Sequence, residues 1–447
     1  MENFSALCQK EIYIRQLKRL VDKQPSQQQL FKIHENDVEL FYFVQDSEMI
    51  CNTIANEIRQ QRYQFKPVQP SIMYQNGKER TVFSHSISDR LVQMALLQQL
   101  LPPLKLYLND SIYSYLPNRN RLHAIADFHD YVTLHTKNNK ADLFVIRTDI
   151  SAYTDSIPVH QGAALWSLLE KFFADPLLKD FSPYLQDLIM KALRPLIIDG
   201  KQHYQFHKGL PMGSPITILA ALLYLDPIDR ALASISDVFY ARFGDDLLIA
   251  HPNSEKILTI EQQLYTLTAS LELKCNPEKT IKTYLTRCGR PYKDNIFTHQ
   301  HFIEYLGFRI FTDGSHTLKQ EKLNEIKTRI AWHVDNLIHM AKQESLSLEN
   351  QADILCKALS NGIHPQHLLF DLSIIDLYSL TTNNNSLKEL DNWLRQYVAN
   401  QLMPSEAKNN WVALNKRIHN FGRNMPSFQY CKNQFWRKRA IKTSNKH

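Results

Sequence analysis

Three short, nearly continuous apolar runs stand out along the chain: Leu143-Phe-Val-Ile146, Val238-Phe-Tyr-Ala241 and Leu247-Leu-Ile-Ala250. Runs of this length bounded by polar residues read as strands buried on both faces. The last two are joined by Arg242-Phe-Gly-Asp-Asp246, which predicts a β-hairpin turning at Gly244. Gly at the first central position of a two-residue loop suits a type II′ turn, which bends the chain without splaying the strands. Ser71-Ile-Met-Tyr74 and Arg80-Thr-Val-Phe83 predict a second hairpin around Asn76-Gly77, and Phe302 to Phe311 a further hairpin strand with Gly307 at a tight point.

Between these runs the apolar spacing turns helical. Ile12, Leu17 and Leu20 share a face, and Val38 to Ile58 carries a second spaced series. Asp89 to Leu101 predicts an apolar helix ended by Pro102-Pro103, and a helix is expected after Pro158. Gln161 to Leu193 is helical with a break at Asp175-Pro176, followed by helices over Ile216 to Ile228 and Ile257 to Leu273. Leu323, Ile326, Ile330, Val334, Leu337 and Ala341 recur at helix spacing, so residues 312–447 are expected to be all-helical. Thr381 to Ser386 reads as a polar linker, and Ser386 with Glu389 as a capping box opening the helix of Leu387, Leu390, Trp393, Leu394 and Val398.

Composition narrows the class. The 447 residues are 44% hydrophobic and 11% aromatic, which fits a globular chain with about two to three domains' worth of core. The six cysteines have no metal-type spacing and fit free thiols in a reducing compartment. The N-terminus lacks the pattern of a signal peptide, and no uncharged apolar run is long enough to span a bilayer. A cytoplasmic protein without a membrane partner is expected. Net charge is +7 with pI near 8.9. After Glu406 no acid follows, and ten Lys or Arg interleave with Tyr430, Phe435 and Trp436. Cations beside aromatics suit a nucleic-acid backbone with stacked bases, whereas solubility alone needs no aromatics. Trp436, Arg437, Lys438 and Arg439 are the candidates there.

Candidate chemistry centres on acids. Asp245 and Asp246 are adjacent at a turn, where like charges repel and a divalent cation removes the cost. Gly-Asp is also ordinary turn chemistry. Asp149 ends a core strand, a placement hard to explain unless it binds something. The three carboxylates form a minimal set for a pair of metal ions. Asp155 reads as a helix-start cap. Gly209-Leu-Pro-Met-Gly-Ser-Pro215 specifies a tight loop opening a helix, whose exposed N–H groups suit a base pair or a phosphate. Lys78 and Arg80 are two apart on a strand and share a face; they suit a triphosphate, and an ordinary charged sheet face equally. Lys279 sits in the loop Lys274-Cys-Asn-Pro-Glu-Lys-Thr280.

In this order the pieces resemble a reverse transcriptase over roughly residues 59–310. The carriers are Arg147-Thr-Asp149-Ile-Ser-Ala-Tyr-Thr-Asp155, Gly209-Leu-Pro-Met-Gly213, Phe243-Gly-Asp-Asp246, Asn276-Pro-Glu-Lys279, Tyr305-Leu-Gly-Phe308, Lys78-Glu-Arg80 and Ser114-Tyr-Leu-Pro-Asn-Arg-Asn120. The resemblance implies an α+β right-hand polymerase, with fingers and palm built on antiparallel sheet and an all-helical thumb and C-terminal region. Its regions would be 1–58 (N-terminal helices), 59–140 (fingers), 141–311 (palm), 312–380 (thumb) and 387–447 (basic C-terminal helices). It further implies two Mg²⁺ ions, with Mn²⁺ as a substitute, on Asp149, Asp245, Asp246 and the Ile150 carbonyl. Lys78 and Arg80 would hold a dNTP, Lys279 would sit by the leaving phosphates, and Pro211, Met212 and Gly213 would lie against the nascent base pair. Arg119 would contact nucleic acid.

The spacing of Asp149 and Asp155 and the Gly-Leu-Pro-x-Gly loop favour DNA over RNA synthesis. Departures fall at Thr154, where the family carries an aromatic that excludes the ribose 2′-hydroxyl; either the neighbouring nucleotide-binding candidate Tyr153 takes that role or sugar discrimination is relaxed. Met212, Phe243-Gly244, Leu116 and Asn118 also depart from the usual pattern. Missing endonuclease, RNase H-like, retron and diversity-generating signatures leave the bacterial unknown-group and abortive-infection enzymes. Those imply antiphage defence, an RNA template that is a structured non-coding RNA, a DNA product and unconventional primers; an oligomer is compatible. Alternatives are a template-independent or protein-primed nucleotidyltransferase of the same fold, or a catalytically silent RNA-binding scaffold or toxin.

Overall fold

The structure, a computed structural model, describes residues 5–23, 34–35, 38–75, 77–138, 142–286, 295–364, 373–403, 410–418 and 421–434. The chain forms two compact units, Met1–Arg121 with Phe144–Lys282, and Leu122–Leu143 with Thr283–His447.

The first unit opens with helices α1 (Lys10–Asp22) and α2 (Ser47–Arg59), whose apolar faces bury Ile12, Leu17 and Leu20 and Ile54, Ala55 and Ile58. Strands β1 (Gln69–Gln75) and β2 (Lys78–Ser84) form an antiparallel hairpin with Met73 opposite Arg80. Helix α3 spans Ile87–Tyr107 and starts on a Ser86 side chain that accepts the Asp89 N–H. The stop expected at Pro102-Pro103 does not occur, because α3 runs through both prolines. Gln98 and Gln99 lose their carbonyl partners, about 3 kcal/mol per interior proline. Continuing the helix buries Pro103 and Leu104, and a buried leucine recovers roughly 1.5–3 kcal/mol.

The core of this unit is an antiparallel sheet of β3 (Leu143–Asp149), β4 (Phe239–Phe243) and β5 (Asp246–His251), with β5 in the middle. Its apolar runs are continuous because both faces are covered: Val145, Ile146, Leu247, Leu248 and Ile249 are all buried. Between β3 and β4 come α4 (Tyr153–Ser156), α5 (Ala164–Phe173), α6 (Pro183–Leu193), α7 (Thr217–Tyr224) and α8 (Asp226–Ala233), and after β5 comes α9 (Ser254–Ser270). Three details differ from expectation. The helix expected after Pro158 starts only at Ala164, since Pro158 pairs as an isolated bridge with Lys208. Asp155 lies inside α4 rather than capping it; Ala152, in the left-handed region at φ 44°, precedes that turn. The single helix over 216–228 is two, parted where Asp226-Pro227 starts α8.

Strand β6 (Ile281–Leu285) begins in the first unit and continues into the second, where it pairs in parallel with β7 (Thr298–Gln300). The second unit holds β8 (Phe302–Tyr305), β9 (Phe308–Phe311) and β10 (His316–Leu318) as an antiparallel sheet. The stretch 302–311 is thus a complete hairpin, turning on Leu306 and Gly307 at φ 46° and 89°. Residues after 312 are not all helical, because β10 adds a third strand. Helices α10 (Gln320–Gln343), α11 (Leu348–Ile363), α12 (Ser373–Leu380) and α13 (Asn384–Leu402) follow. The cap of α13 is Asn383, not Ser386, whose hydroxyl instead meets Thr317 at 2.8 Å. Thr382 also pairs with the His316 backbone, so this joint is fastened to β10 rather than being a free linker. Among the described residues no helix is long and apolar enough to cross a membrane.

Candidate active site

Strand register brings the three acids to one end of the first unit's sheet. Asp149 stands opposite Asp246, Asp246 stands opposite Phe243, and Asp245 occupies the turn between. Gly244 takes φ 68°, the left-handed value that the hairpin turn requires. The turn is held from outside the hairpin. Gly244 donates its N–H to the buried Ser114 hydroxyl at 2.8 Å, and Tyr113 and Ser111 exchange backbone hydrogen bonds with Arg242. Ile150 donates its N–H to the Asp245 carbonyl at 3.1 Å.

Two cations sit on the acids. Lys279 contacts Asp149 Oδ2, and Arg147 grips Asp246 through Nε to Oδ1 at 3.2 Å and Nη2 to Oδ2 at 3.3 Å. The loop carrying Lys279 is tied to β3: Asn276 donates its N–H to the Asp149 carbonyl at 2.8 Å, and its side chain caps Glu278. Although Asp245 as a residue is exposed, the packing around its carboxyl desolvates it and pushes it above the usual carboxylate range; the Asp149 charge adds to this, while a backbone hydrogen bond, Lys279 and Arg80 oppose it. Burial likewise raises Asp246 against the pull of Arg147. The hydrogen bond to Asp149 raises Lys279.

Whether these residues suit a divalent metal turns on their open acceptors. Asp149 Oδ1 is buried without a hydrogen-bond partner, and buried carboxylate oxygens are rarely left so. With Asp245 and Asp246 the donors are all hard oxygens, which fits Mg²⁺ or Mn²⁺. Among the described residues no three His, Cys, Asp or Glu side chains are already gathered as a metal cage. Lys279 and Arg147 hold two of the acids instead.

The loop at 209–215 is fixed at both ends. Gly209 and Leu210 donate N–H groups to Ile157 and Thr154 carbonyls at 2.8 Å, next to α4. Phe83 of β2 donates its N–H to the Met212 carbonyl at 2.8 Å, and the Ser214 hydroxyl donates to Gln93 of α3 at 2.7 Å. Gly213 stands at φ 103°, and a Cβ there would lie 2.8 Å from the Phe83 carbonyl. Pro211 is buried, Met212 half-buried and Gly213 exposed.

The remaining candidates separate clearly. Arg80 is exposed on β2 and its charge reaches Asp245. The Lys78 side chain lies outside the described residues, as do Trp436, Arg437, Lys438 and Arg439. Tyr153 is a core residue: it is buried, and its hydroxyl donates to the Ala221 carbonyl at 2.5 Å. Thr154 is left half-exposed. Arg119, expected on nucleic acid, is paired with Asp110, bonded to the Ile112 carbonyl at 3.2 Å and set over the Tyr113 ring, contacts that brace its own loop.

Sequence reasoning missed Ser114, Arg147 and the Arg242–Asp229 pair as site-builders. Arg147 was findable: strand alternation puts it on the face of Asp149. Ser114 opens one of the motifs quoted above, yet its contact with the hairpin, like that of Asp229, arises only through folding.

Comparison with known proteins fits this geometry. The family model described as "Reverse transcriptase (RNA-dependent DNA polymerase)" matches residues 66–310. Protein P of Heron hepatitis B virus is 26% identical over 137 residues, 31% of this chain and 15% of that protein. The chain thus spans a small part of that curated relative. Telomerase from Candida albicans, solved in complex with a TWJ fragment of telomeric RNA, is 13% identical with a TM-score of 0.44, covering 80% of this chain and 64% of that one. Apo telomerase from Candida tropicalis, truncated from its C-terminal domain, is 13% identical with a TM-score of 0.42, covering 57% and 55%. By the family match, which takes in the acid hairpin, the tethered loop and the Lys279 loop, this chain belongs to the reverse transcriptase family and has its α+β right-hand polymerase fold.

Proposed function

We propose that the protein is an RNA-directed DNA polymerase that adds dNTPs to a 3′-hydroxyl. The observation that carries this is the convergence of Asp149, Asp245 and Asp246 at one sheet end, beside a loop tied to both α4 and β2. Mg²⁺ or Mn²⁺ held by the three aspartates and the Ile150 carbonyl would lower the pKa of the primer hydroxyl and stabilise the leaving pyrophosphate. Arg80, with Lys78, binds the triphosphate. Met212 and Gly213 present a backbone wall to the new base pair, and Thr154 lies where the ribose is sensed. Lys279 sits near the leaving phosphates as a proton donor. The basic, aromatic segment at 430–439 contacts RNA; replacing Arg437, Lys438 and Arg439 by Ala lowers the salt slope of RNA binding by about 2.

Purified protein with Mg²⁺, RNA template, primer and dNTPs extends the primer, and Asp245→Ala abolishes extension. Equal product from parent and variant removes the assignment. The finer reading is antiphage defence with a structured non-coding RNA, supported by the absence of other subgroup signatures. Cells carrying the parent then resist phage, while cells carrying Asp245→Ala do not; sequencing the RNA that copurifies identifies the template.

A further inference from the structure

We propose that Arg147 is a positioning residue that keeps Asp246 from the first metal position. Asp149 and Asp245 then take the first divalent cation, and Asp246 is freed only for a second. This rests on the metal-dependent reading above.

Arg147 and Asp149 lie two apart on β3, and Asp246 faces Asp149 across the sheet, so Arg147 is the diagonal neighbour of Asp246. Its fork reaches both carboxylate oxygens, at 3.2 and 3.3 Å. A bidentate guanidinium fixes the carboxylate's orientation and stays charged at any working pH. Asp149 is held differently. Lys279 is a point charge on a flexible stem, its side chain is 59% exposed against 28% for Arg147, and it meets only Oδ2. Asp149 Oδ1 remains buried and without a partner. Asp245 is exposed at the turn and carries no ion pair among the described residues. An entering cation therefore finds an open oxygen on Asp149 and, on Asp245, a carboxylate that no ion pair holds among the described residues. On Asp246 it meets a carboxylate already neutralised, with a neighbouring positive charge that repels it.

Electron paramagnetic resonance of Mn²⁺ titrated into the full-length protein without nucleotide tests this directly. The parent binds a single Mn²⁺. Asp245→Asn removes it, Asp246→Asn weakens it by less than about tenfold by leaving the Arg147 charge unpaired, and Arg147→Met tightens binding roughly tenfold or admits a second ion. Arg147→Lys, which keeps the charge and loses the fork, falls between parent and Met. This variant also carries the test should Arg147→Met not fold, which circular dichroism reports. Equal losses from Asp246→Asn and Asp245→Asn, or unchanged binding in both Arg147 variants, overturn the proposal. A parent that binds no Mn²⁺ overturns it together with the metal reading. The expected Mn²⁺ pattern in a protein that extends no primer supports Arg147 and overturns only the polymerase assignment.

Discussion

Arg242 and Asp229 form a salt bridge, Nη2 to Oδ2 at 2.7 Å, with side chains only 1% and 0% exposed. Tyr240 donates its hydroxyl to the same carboxylate at 2.7 Å, and Arg242 also reaches the Leu222 carbonyl at 2.9 Å and the Gly244 carbonyl at 3.4 Å. Two charges in a dry interior are stable only as a satisfied pair. Arg242→Met strands the Asp229 carboxylate and lowers unfolding free energy by about 3–5 kcal/mol, while combining Arg242→Met with Asp229→Leu recovers most of the loss. Urea denaturation distinguishes the single from the double variant; equal losses would mean the pair is not coupled.

The raised carboxyl of Asp245 gives a pH-dependent stability of defined sign. The folded protein holds this proton more tightly than the unfolded chain. The contribution is complete below the ordinary value of 3.8 and is lost as pH rises through the elevated one. Metal-free Asp245→Asn protein therefore melts above the parent at pH 7, by on the order of 1–2 °C because the group is exposed and screened, and the gain fades toward pH 4. Melting in EDTA across pH 4–8 checks this, and a variant that melts lower at pH 7 contradicts it.

Gly213→Ala places a methyl 2.8 Å from the Phe83 carbonyl at a φ that L residues rarely adopt. The strain costs about 1–3 kcal/mol and separates the loop from β2. Primer extension should fall with KM for dNTP rising more than thermal stability drops. Wild-type kinetics would show that the loop tether is dispensable.

Thr154→Phe adds bulk at a half-exposed position whose carbonyl accepts from Leu210. Preference for dNTP over rNTP should rise by roughly tenfold or more, since one steric mismatch in a tight pocket is worth about 1–3 kcal/mol. Competition between labelled dNTP and rNTP measures it. Unchanged selectivity would remove Thr154 as the sugar gate, and Tyr153, already committed to the core, would not replace it.

Much of the site was legible because it is built from local rules. Three buried strands, a glycine at the hairpin turn and an Asn-Pro loop carrying Lys279 all announce themselves by spacing and residue type. What was hidden depends on distant packing. Asp229 and Arg242 lie 13 residues apart on a helix and a strand, and only folding makes them partners. Pro102 and Pro103 follow a rule about isolated helices that burial overrides. Ser386 and Asn383 both have capping chemistry, and the tie between Thr382 and β10 decides between them.

The path of the chain through its two units has a consequence for synthesis. Residues 122–143 belong to the second unit, yet they run directly into the strand that bears Asp149. On a ribosome that segment emerges long before residue 283, where the rest of its unit begins. It must wait for the rest of its unit while the residues through 282 are made. No single proteolytic cut or truncation can release either unit intact, so fragments expressed alone would each be missing part of their own core.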